Sequence, residues 1–358
     1  MVNGEEVNGE EVGCRSSVVG GLWSKPIRVI LFNLNLHLIL LYKLLKFPAR
    51  LALCIYCRHV KLNTRKYLDV KGPLLLAVNH PNSLLDAVIL STVFKQPIHS
   101  LARGDVFKKP FYAKLLRAIN MHPVYRLSEG AENLEHNYTS FEACRQIFKK
   151  GGIVLIFSEG RCENEWHLRP LMKGTARLAL SAWDENINLK ILPIGINYHS
   201  FTSFGKNVQI NFRDFIKEQD IGNETNYGKK IATFNNLLQQ NLSTLVYEID
   251  SADKGKIKSV FELKKTAFKK ALLFIPALIG FILNAPLYFP VQYYASKKVS
   301  GTGHYDSVMV AMLFLLYPFY LLLIIILAAI LFKSWYALLF LTAPFFAYCY
   351  IQWKPAFK

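Results

Sequence analysis

Three long apolar stretches in the C-terminal part of the chain constrain its fold more than any other feature. They cover residues 271–296, 307–332 and 334–353, and none of them contains a charged side chain. An α-helix of about 20 apolar residues spans the hydrocarbon core of a bilayer. Residues 271–353 are therefore expected to form about three transmembrane segments. Because the first stretch contains prolines, it could span the bilayer, form a kinked helix or form a re-entrant helix. The choice among these decides on which side of the membrane the chain ends.

The charge distribution favours a membrane partner. The chain contains 43 Lys and Arg residues against 25 Asp and Glu residues, which gives a net charge of +18. Residues 254–270, directly before the first apolar stretch, are rich in lysine, and we expect this basic juxtamembrane linker to stay in the cytoplasm. An excess of basic residues suits an anionic lipid surface or an anionic substrate. No nucleic-acid-binding motif accompanies it, so nucleic acid is not expected as a partner.

The N-terminal region divides into two parts by composition. Residues 1–26 open with the repeated acidic phrase VNGEEVNGEEV and are predicted to be a disordered tail. They are not expected to be a signal peptide, because they lack its basic start and apolar centre. Residues 27–57 are mostly apolar, but polar and charged side chains and Pro48 interrupt them. These interruptions favour a helix in the membrane interface, with lysines reaching the head groups, over a helix that spans the bilayer.

Residues 58–253 alternate between short apolar runs and amphipathic stretches, after a basic and polar entry at residues 58–71. The apolar runs predict strands at residues 73–79, 97–102, 121–125, 152–157, 189–197 and 207–212. The amphipathic stretches predict helices at residues 83–94, 110–119, 129–149, 173–184 and 226–250. This alternation predicts an α/β domain in which helices cover a sheet.

The segment PLLLAVNHPNSLLD, residues 73–86, places a histidine where a strand hands over to a helix. Asn82 and Ser83 are suitable N-caps for that helix, and Asp86 lies in its first turns. A carboxylate that accepts one ring N–H of His80 would leave the other nitrogen as a base. We assign no Ser or Cys nucleophile beside this pair, so the base would act on the substrate's own hydroxyl. A single His near an Asp is more often structural, and the other motifs decide the interpretation.

Further polar groups follow other predicted strands. Residues 158–161, Ser-Glu-Gly-Arg, form a turn in which Gly160 allows close backbone approach, and a helix begins near Lys173-Gly174. Arg161, Arg169 and Lys173 surround this turn and suit a phosphate group. Arg103 and Arg126 each end a strand, and Pro193 lies in the strand segment ILPIGINY.

These four blocks, in this order over roughly residues 70–215, resemble the phospholipid/glycerol acyltransferase family. The resemblance implies a mixed sheet flanked by helices over residues 58–253. It also implies that His80 is the catalytic base and Asp86 its orienting carboxylate. Arg103 and Arg126 match the family's acceptor-contacting positions, and Glu159 is expected to order the site. The residues expected to bind substrate are Asn82, Ser83, Arg103, Arg126, Glu159, Gly160, Arg161, Lys173, Gly174 and Pro193.

The chain departs from the family pattern at three points. Five residues instead of four separate His80 from Asp86, which is similar to the branch of fungal-type glycerol-3-phosphate and dihydroxyacetone-phosphate acyltransferases with C-terminal membrane spans. Ser158 replaces a proline, and Arg161 stands where threonine is usual. These departures bear on the identity of the acceptor substrate more than on the type of reaction.

The function implied by the resemblance is acyl transfer from acyl-CoA or acyl carrier protein to glycerol 3-phosphate or lysophosphatidic acid, at a membrane lipid surface and with no metal or bound cofactor. Three alternatives stay open: an O-acyltransferase for another lipid hydroxyl, such as an N-acyl amino acid; a thioesterase; and a membrane protein that binds or transports lipid. Cys54 and Cys57 form a C-x-x-C pattern, but no second pair completes a zinc site, so we assign them no metal.

Overall fold

A computed structural model describes residues 41–125, 135–263, 266–299 and 301–356. The described strands are β1 (Cys57–Leu62), β2 (Leu74–Val78), β3 (Ile98–Arg103), β4 (Met121–Val124), β5 (Ile153–Phe157), β6 (Lys190–Tyr198) and β7 (Lys206–Phe212). The described α-helices are α1 (residues 41–56), α2 (Leu84–Val93), α3 (Pro110–Ala118), α4 (Glu135–Lys149), α5 (Gly174–Trp183), α6 (Tyr227–Ser243), α7 (Lys254–Phe261), α8 (Ala267–Val299), α9 (Tyr305–Phe332) and α10 (Ala343–Trp353).

The strands form one mixed sheet in the order β1-β7-β6-β2-β5-β3-β4. All neighbours are parallel except β6 and β7, which pair antiparallel. Strand β2 lies at the centre, and its five residues are all buried. Leu74, Leu76 and Val78 enter the core on one face of the sheet, whereas Leu75 and Ala77 enter the core on the other. The sheet is therefore covered on both faces, as a nearly continuous apolar central strand requires. This confirms the predicted α/β fold.

Several element boundaries differ from the sequence-based expectation. Residues 57–62 form β1, although the segment was expected to be a polar entry. Its charged side chains hide the strand pattern, and its pairing with β7 at the edge of the sheet is a long-range contact. Helix α6 ends at Ser243, well before residue 250. The basic linker contains α7, which buries Ile257 and Phe261. Residues 129–134 of the predicted fourth helix lie outside the described part.

Three C-terminal helices are long and apolar enough to cross a membrane. They are α8, α9 and the helical segment Trp335–Trp353, which consists of a 3₁₀ turn followed by α10. Helix α8 is continuous through its three internal prolines. It packs closely against α10 at Gly280. The contact is so close that a Cβ at Gly280 would collide with the carbonyl oxygen of Phe346. These helices make the chain a membrane-associated protein.

Helix α1 carries an exposed apolar stripe of Leu44, Phe47 and Leu51, in keeping with a place in the membrane interface. Two of its cationic side chains bind the protein and do not extend toward lipid head groups as expected. Lys46 Nζ donates to the carbonyl of Phe94 (2.5 Å), and Arg50 Nε donates to that of Thr92 (2.8 Å). Both cations thus satisfy carbonyls at the C-terminal end of α2, where positive charge is favourable. Residues 27–40 of the predicted interface helix lie outside the described residues.

Candidate active site

His80 lies just beyond the carboxyl end of the central strand β2. Its Nδ1 is 2.9 Å from Oδ2 of Asp86, and the imidazole keeps 14% of its side-chain surface exposed. The ring stacks on Phe157 at the end of β5, with ring centroids 3.7 Å apart and planes 12° apart. Packing and hydrogen bonding therefore fix the ring, while one side stays accessible. Such a position beyond strand ends is typical of ligand sites in α/β sheets.

Asp86 is fully buried in the first turn of α2 and is surrounded by donors. Its Oδ2 also accepts the backbone N–H of Asn82 (2.8 Å), and its Oδ1 accepts the hydroxyl of Tyr198 (2.7 Å). Burial, with the charge of Asp86, raises the pKa of Tyr198 well above its ordinary value, so the phenol stays a donor. This arrangement holds the carboxylate in one place and directs its remaining lone pair to His80 Nδ1.

Glu159 connects the His80 loop to the turn after β5. Its Oε2 accepts the backbone N–H of His80 (2.7 Å), and its Oε1 accepts the backbone N–H of Arg169 (3.0 Å). Burial raises the pKa of Glu159 to about 7, although these two N–H donors oppose the change. Both carboxyl oxygens are thus engaged with backbone, which suits an ordering role and not that of a second base.

The turn from Ser158 to Arg161 has the geometry that its glycine allows. Gly160 has φ of 71°, and a Cβ there would lie 2.8 Å from Cγ of Met172. Ser158, which replaces the family's proline, accepts a hydrogen bond from the hydroxyl of Thr175 in α5 (3.1 Å). A left-handed conformation with no room for a side chain explains why this position is glycine. Helix α5 begins at Gly174, as predicted.

The expected phosphate-binding cations lie near the same edge of the sheet, but acidic neighbours engage some of them. Arg103 ends β3 and forms an ion pair with Asp105. Arg161 Nε lies 3.5 Å from Oε1 of Glu163, and both side chains are largely exposed. Lys173 is exposed at the N-terminus of α5. Exposed pairs of this kind are weak, so an anionic substrate can compete for these cations.

Two residues expected to bind substrate are buried in the core. The side chain of Asn82 is buried and donates to Oδ2 of Asp306 (2.7 Å). Pro193 is buried within β6, opposite Ala77 of β2. Each supports the site from within the core, and the expected role of both in substrate binding stays a prediction. Arg126 lies outside the described residues.

The helix cap at α2 also differs from the expectation. Ser83 occupies the cap position with φ of 50°, but neither it nor Asn82 caps the helix through its side chain. The N–H of Leu84 is instead bound by the hydroxyl of Ser307 (3.0 Å) in the first turn of α9. Ser83 Oγ lies 2.9 Å from Nδ1 of His304. The first turn of α9 and the residue before it therefore supply contacts that were expected from the local sequence.

Sequence reasoning missed a buried ion pair beneath the site. Lys206 and Asp306 are both fully buried and form a salt bridge. Asp306 also accepts the hydroxyl of Tyr56 (2.5 Å). Burial lowers the pKa of Lys206, and the charge of Asp306 opposes that change. The one available signal was the polar phrase HYDS at residues 304–307, at the start of a long apolar stretch.

Among the described residues, no group of three or more His, Cys, Asp or Glu side chains is placed to hold a metal ion. Cys54 is exposed and Cys57 is buried, and both thiols are free. The C-x-x-C pattern thus forms no disulfide, and one of its two sulfurs packs in the core.

Part of the chain is similar to known proteins. Residues 59–197 match the sequence model of the Acyltransferase family, a range that includes His80, Asp86 and Glu159. A solved structure, the 1-acyl-sn-glycerophosphate (LPA) acyltransferase PlsC from Thermotoga maritima, is similar with a TM-score of 0.41 and 14% identity, over 64% of this chain and 81% of that chain. No curated protein matches the chain significantly. The chain is therefore a membrane-associated protein with an acyltransferase domain. Its residues 59–197 carry the match to the Acyltransferase family.

Proposed function

We propose that the protein transfers a fatty acyl group from an acyl thioester, acyl-CoA or acyl carrier protein, to a hydroxyl of glycerol 3-phosphate or lysophosphatidic acid. The observation that carries this proposal is the His80–Asp86 pair, held at 2.9 Å within the segment that matches the Acyltransferase family. The carboxylate fixes the proton on Nδ1, so Nε2 is the free base. No described residue other than Asp86 forms a hydrogen bond with the His80 ring.

In the proposed reaction, Nε2 of His80 accepts the proton of the acceptor hydroxyl as its oxygen attacks the thioester carbonyl. A C–O bond forms, the C–S bond breaks and the thiolate leaves. Asp86 stabilises the imidazolium that forms, and that proton then passes to the thiolate or to water. General-base assistance of this kind is worth about 10²–10⁴-fold in rate. A thiolate is a good leaving group, and this scheme needs no metal or cofactor.

The basic residues around the site would hold the acceptor. Arg103, Arg161, Lys173 and the N-terminus of α5 at Gly174 offer charge and N–H groups to a phosphate, and Arg126 is expected to join them. Fixing the phosphate places the hydroxyl beside His80, which lowers the entropic part of the barrier. In this proposal the catalytic domain lies on the cytoplasmic face of the membrane, where acyl-CoA and acyl carrier protein are available.

The test is acyl transfer from a labelled acyl thioester in membranes that contain the wild type, His80→Ala or His167→Ala. His167 is a matched control, because its ring is half exposed and pairs with Glu248. Glycerol 3-phosphate, lysophosphatidic acid and a phosphate-free lipid alcohol are offered separately. We expect product with a phosphate-bearing acceptor, reduced at least about 100-fold by His80→Ala and unchanged by His167→Ala. Undiminished transfer by His80→Ala would overturn the assignment of the base. Transfer to the phosphate-free alcohol alone would overturn the acceptor.

A further inference from the structure

The turn between α8 and α9 lies directly on the catalytic loop, residues 79–83, which carries the proposed base His80. The carbonyl of Gly303 accepts a hydrogen bond from the thiol of Cys162 (3.6 Å), just after the turn that follows β5. The same sulfur accepts the backbone N–H of Ser83 (3.0 Å). Cys162 is thus in contact with both the α8–α9 turn and the loop between His80 and Asp86. The two membrane-type helices therefore bring a segment to the edge of the proposed acyl-transfer site.

Buried polar contacts hold this turn in register with the loop. Asp306 is fully buried and bonds to Lys206 in β7, Tyr56 in α1 and Asn82 in the catalytic loop. Ser307 binds the first N–H of α2. A buried carboxylate with this many partners has few alternative positions, because any displacement would leave a charge unpaired in the core. The turn is consequently a fixed part of the site.

His304 is the residue of this turn with a reactive side chain. Its Nδ1 lies 2.9 Å from Ser83 Oγ, and the residue is largely exposed. Burial and the charge of Arg103 lower its pKa, which favours the neutral imidazole. When the Ser83 hydroxyl donates to Nδ1, Nε2 carries the ring proton and is a hydrogen-bond donor. No described residue accepts that bond.

We propose that His304 is a substrate-binding residue, which donates a hydrogen bond from Nε2 to the glycerol-phosphate part of the acceptor beside His80. The inference rests on the proposed acyl transfer and deepens it. A neutral donor suits this place, because an added positive charge would make His80 a weaker base. The acceptor's oxygen-rich head group is shared by glycerol 3-phosphate and lysophosphatidic acid. The active site would therefore be completed by the hairpin of α8 and α9.

The experiment compares His304→Ala, His304→Gln and His167→Ala in the full chain, with kcat and with KM measured separately for acceptor and acyl thioester. Glutamine keeps an N–H donor, whereas alanine does not. We expect His304→Ala to raise the acceptor KM about tenfold, the effect of one lost hydrogen bond, with the thioester KM unchanged. His304→Gln should recover most of that loss, and His167→Ala should match the wild type.

An acceptor KM of His304→Ala equal to that of the wild type would overturn the inference. So would an equal rise in both KM values without recovery in His304→Gln, since that pattern indicates general damage. If the wild type transfers no acyl group, equilibrium binding of labelled lysophosphatidic acid and glycerol 3-phosphate separates the two proposals. Binding that His304→Ala weakens and His304→Gln restores would support the inference while the proposed reaction fails. Binding unaffected by His304→Ala would overturn it.

Discussion

Asn82 lies between His80 and Asp86 in the sequence, and its side-chain amide donates a 2.7 Å hydrogen bond to Asp306 in the first turn of α9. The loop that carries the proposed base and a helix able to cross a membrane thus share a buried contact. The backbone N–H of Asn82 also donates to Asp86. Asn82 therefore connects the His80–Asp86 pair to helix α9. Substitution of Asp306 should therefore alter the position of the loop that carries His80.

Asp306→Asn is expected to destabilise the fold by about 3–5 kcal/mol, because it leaves Lys206 buried without a counter-charge. Tyr56→Phe removes a single hydrogen bond to the same carboxylate and should cost only about 1 kcal/mol. Unfolding of the full chain in detergent measures both. The double variant Asp306→Asn with Lys206→Met should recover part of the loss. Equal stability of wild type and Asp306→Asn would contradict the role given to the ion pair.

Cys162 reports whether the α8–α9 turn is in place. Burial raises the pKa of its thiol to about 12, so alkylation at pH 8 should be slow. Asp306→Asn, by loosening the turn, should increase the alkylation rate of Cys162 about tenfold or more, as measured by peptide mass spectrometry. Cys144 is a matched internal control, because it is buried in α4 and its pKa is also raised to about 12. An equal increase at both cysteines would indicate global unfolding and not release of the turn.

Asp86→Asn should reduce kcat by about 100-fold or more, since an amide orients and stabilises the imidazolium of His80 poorly. Tyr198→Phe removes one of three donors to Asp86 but leaves its contacts with His80 and Asn82, so its kcat should fall less than about tenfold. The acyl-transfer assay distinguishes these values. If Tyr198→Phe were the more damaging variant, the assignment of Asp86 as the positioning carboxylate would be untenable.

Local pattern was enough to predict much of this site. An apolar run followed by polar residues marks the end of a buried strand, and the ends of β2, β3 and β5 place His80, Arg103 and Glu159 at one edge of the sheet. Parallel strands make such residues neighbours whatever their separation in sequence. The closeness of His80 to Asp86 followed from a different local signal, the handover from strand β2 to helix α2 within residues 73–86.

What could not be predicted depends on long-range packing. Nothing local indicates that Asn82 faces Asp306, more than 200 residues away, or that Ser307 caps α2. Lys206, the lysine of the buried pair, begins a strand next to a turn. From the sequence alone, a lysine at such a position is expected to be exposed. Strand β1 was missed for the same reason. Its charged segment is a strand because it pairs with β7, and not because of its local strand propensity.

Glu159 should make stability fall as the pH rises. Its pKa is about 7 in the folded chain against an ordinary value of 4.5, with burial as the main cause. The folded state therefore retains a proton that the unfolded chain has released between these values. The group's contribution to stability is fully present below pH 4.5 and is lost as the pH rises through 7, a change of about 3 kcal/mol.

Glu159→Gln removes this titration, so the difference in unfolding free energy between the wild type and the variant isolates it from the histidines. From pH 5 to pH 8 in detergent, the wild type should lose stability relative to Glu159→Gln. The variant itself carries a constant penalty, because its amide NH₂ faces one of the two N–H groups that the carboxylate accepts. A difference that does not change with pH would show that Glu159 is ionised throughout, held as an anion by those two donors. A wild type that gains stability relative to the variant would show that the donors outweigh burial.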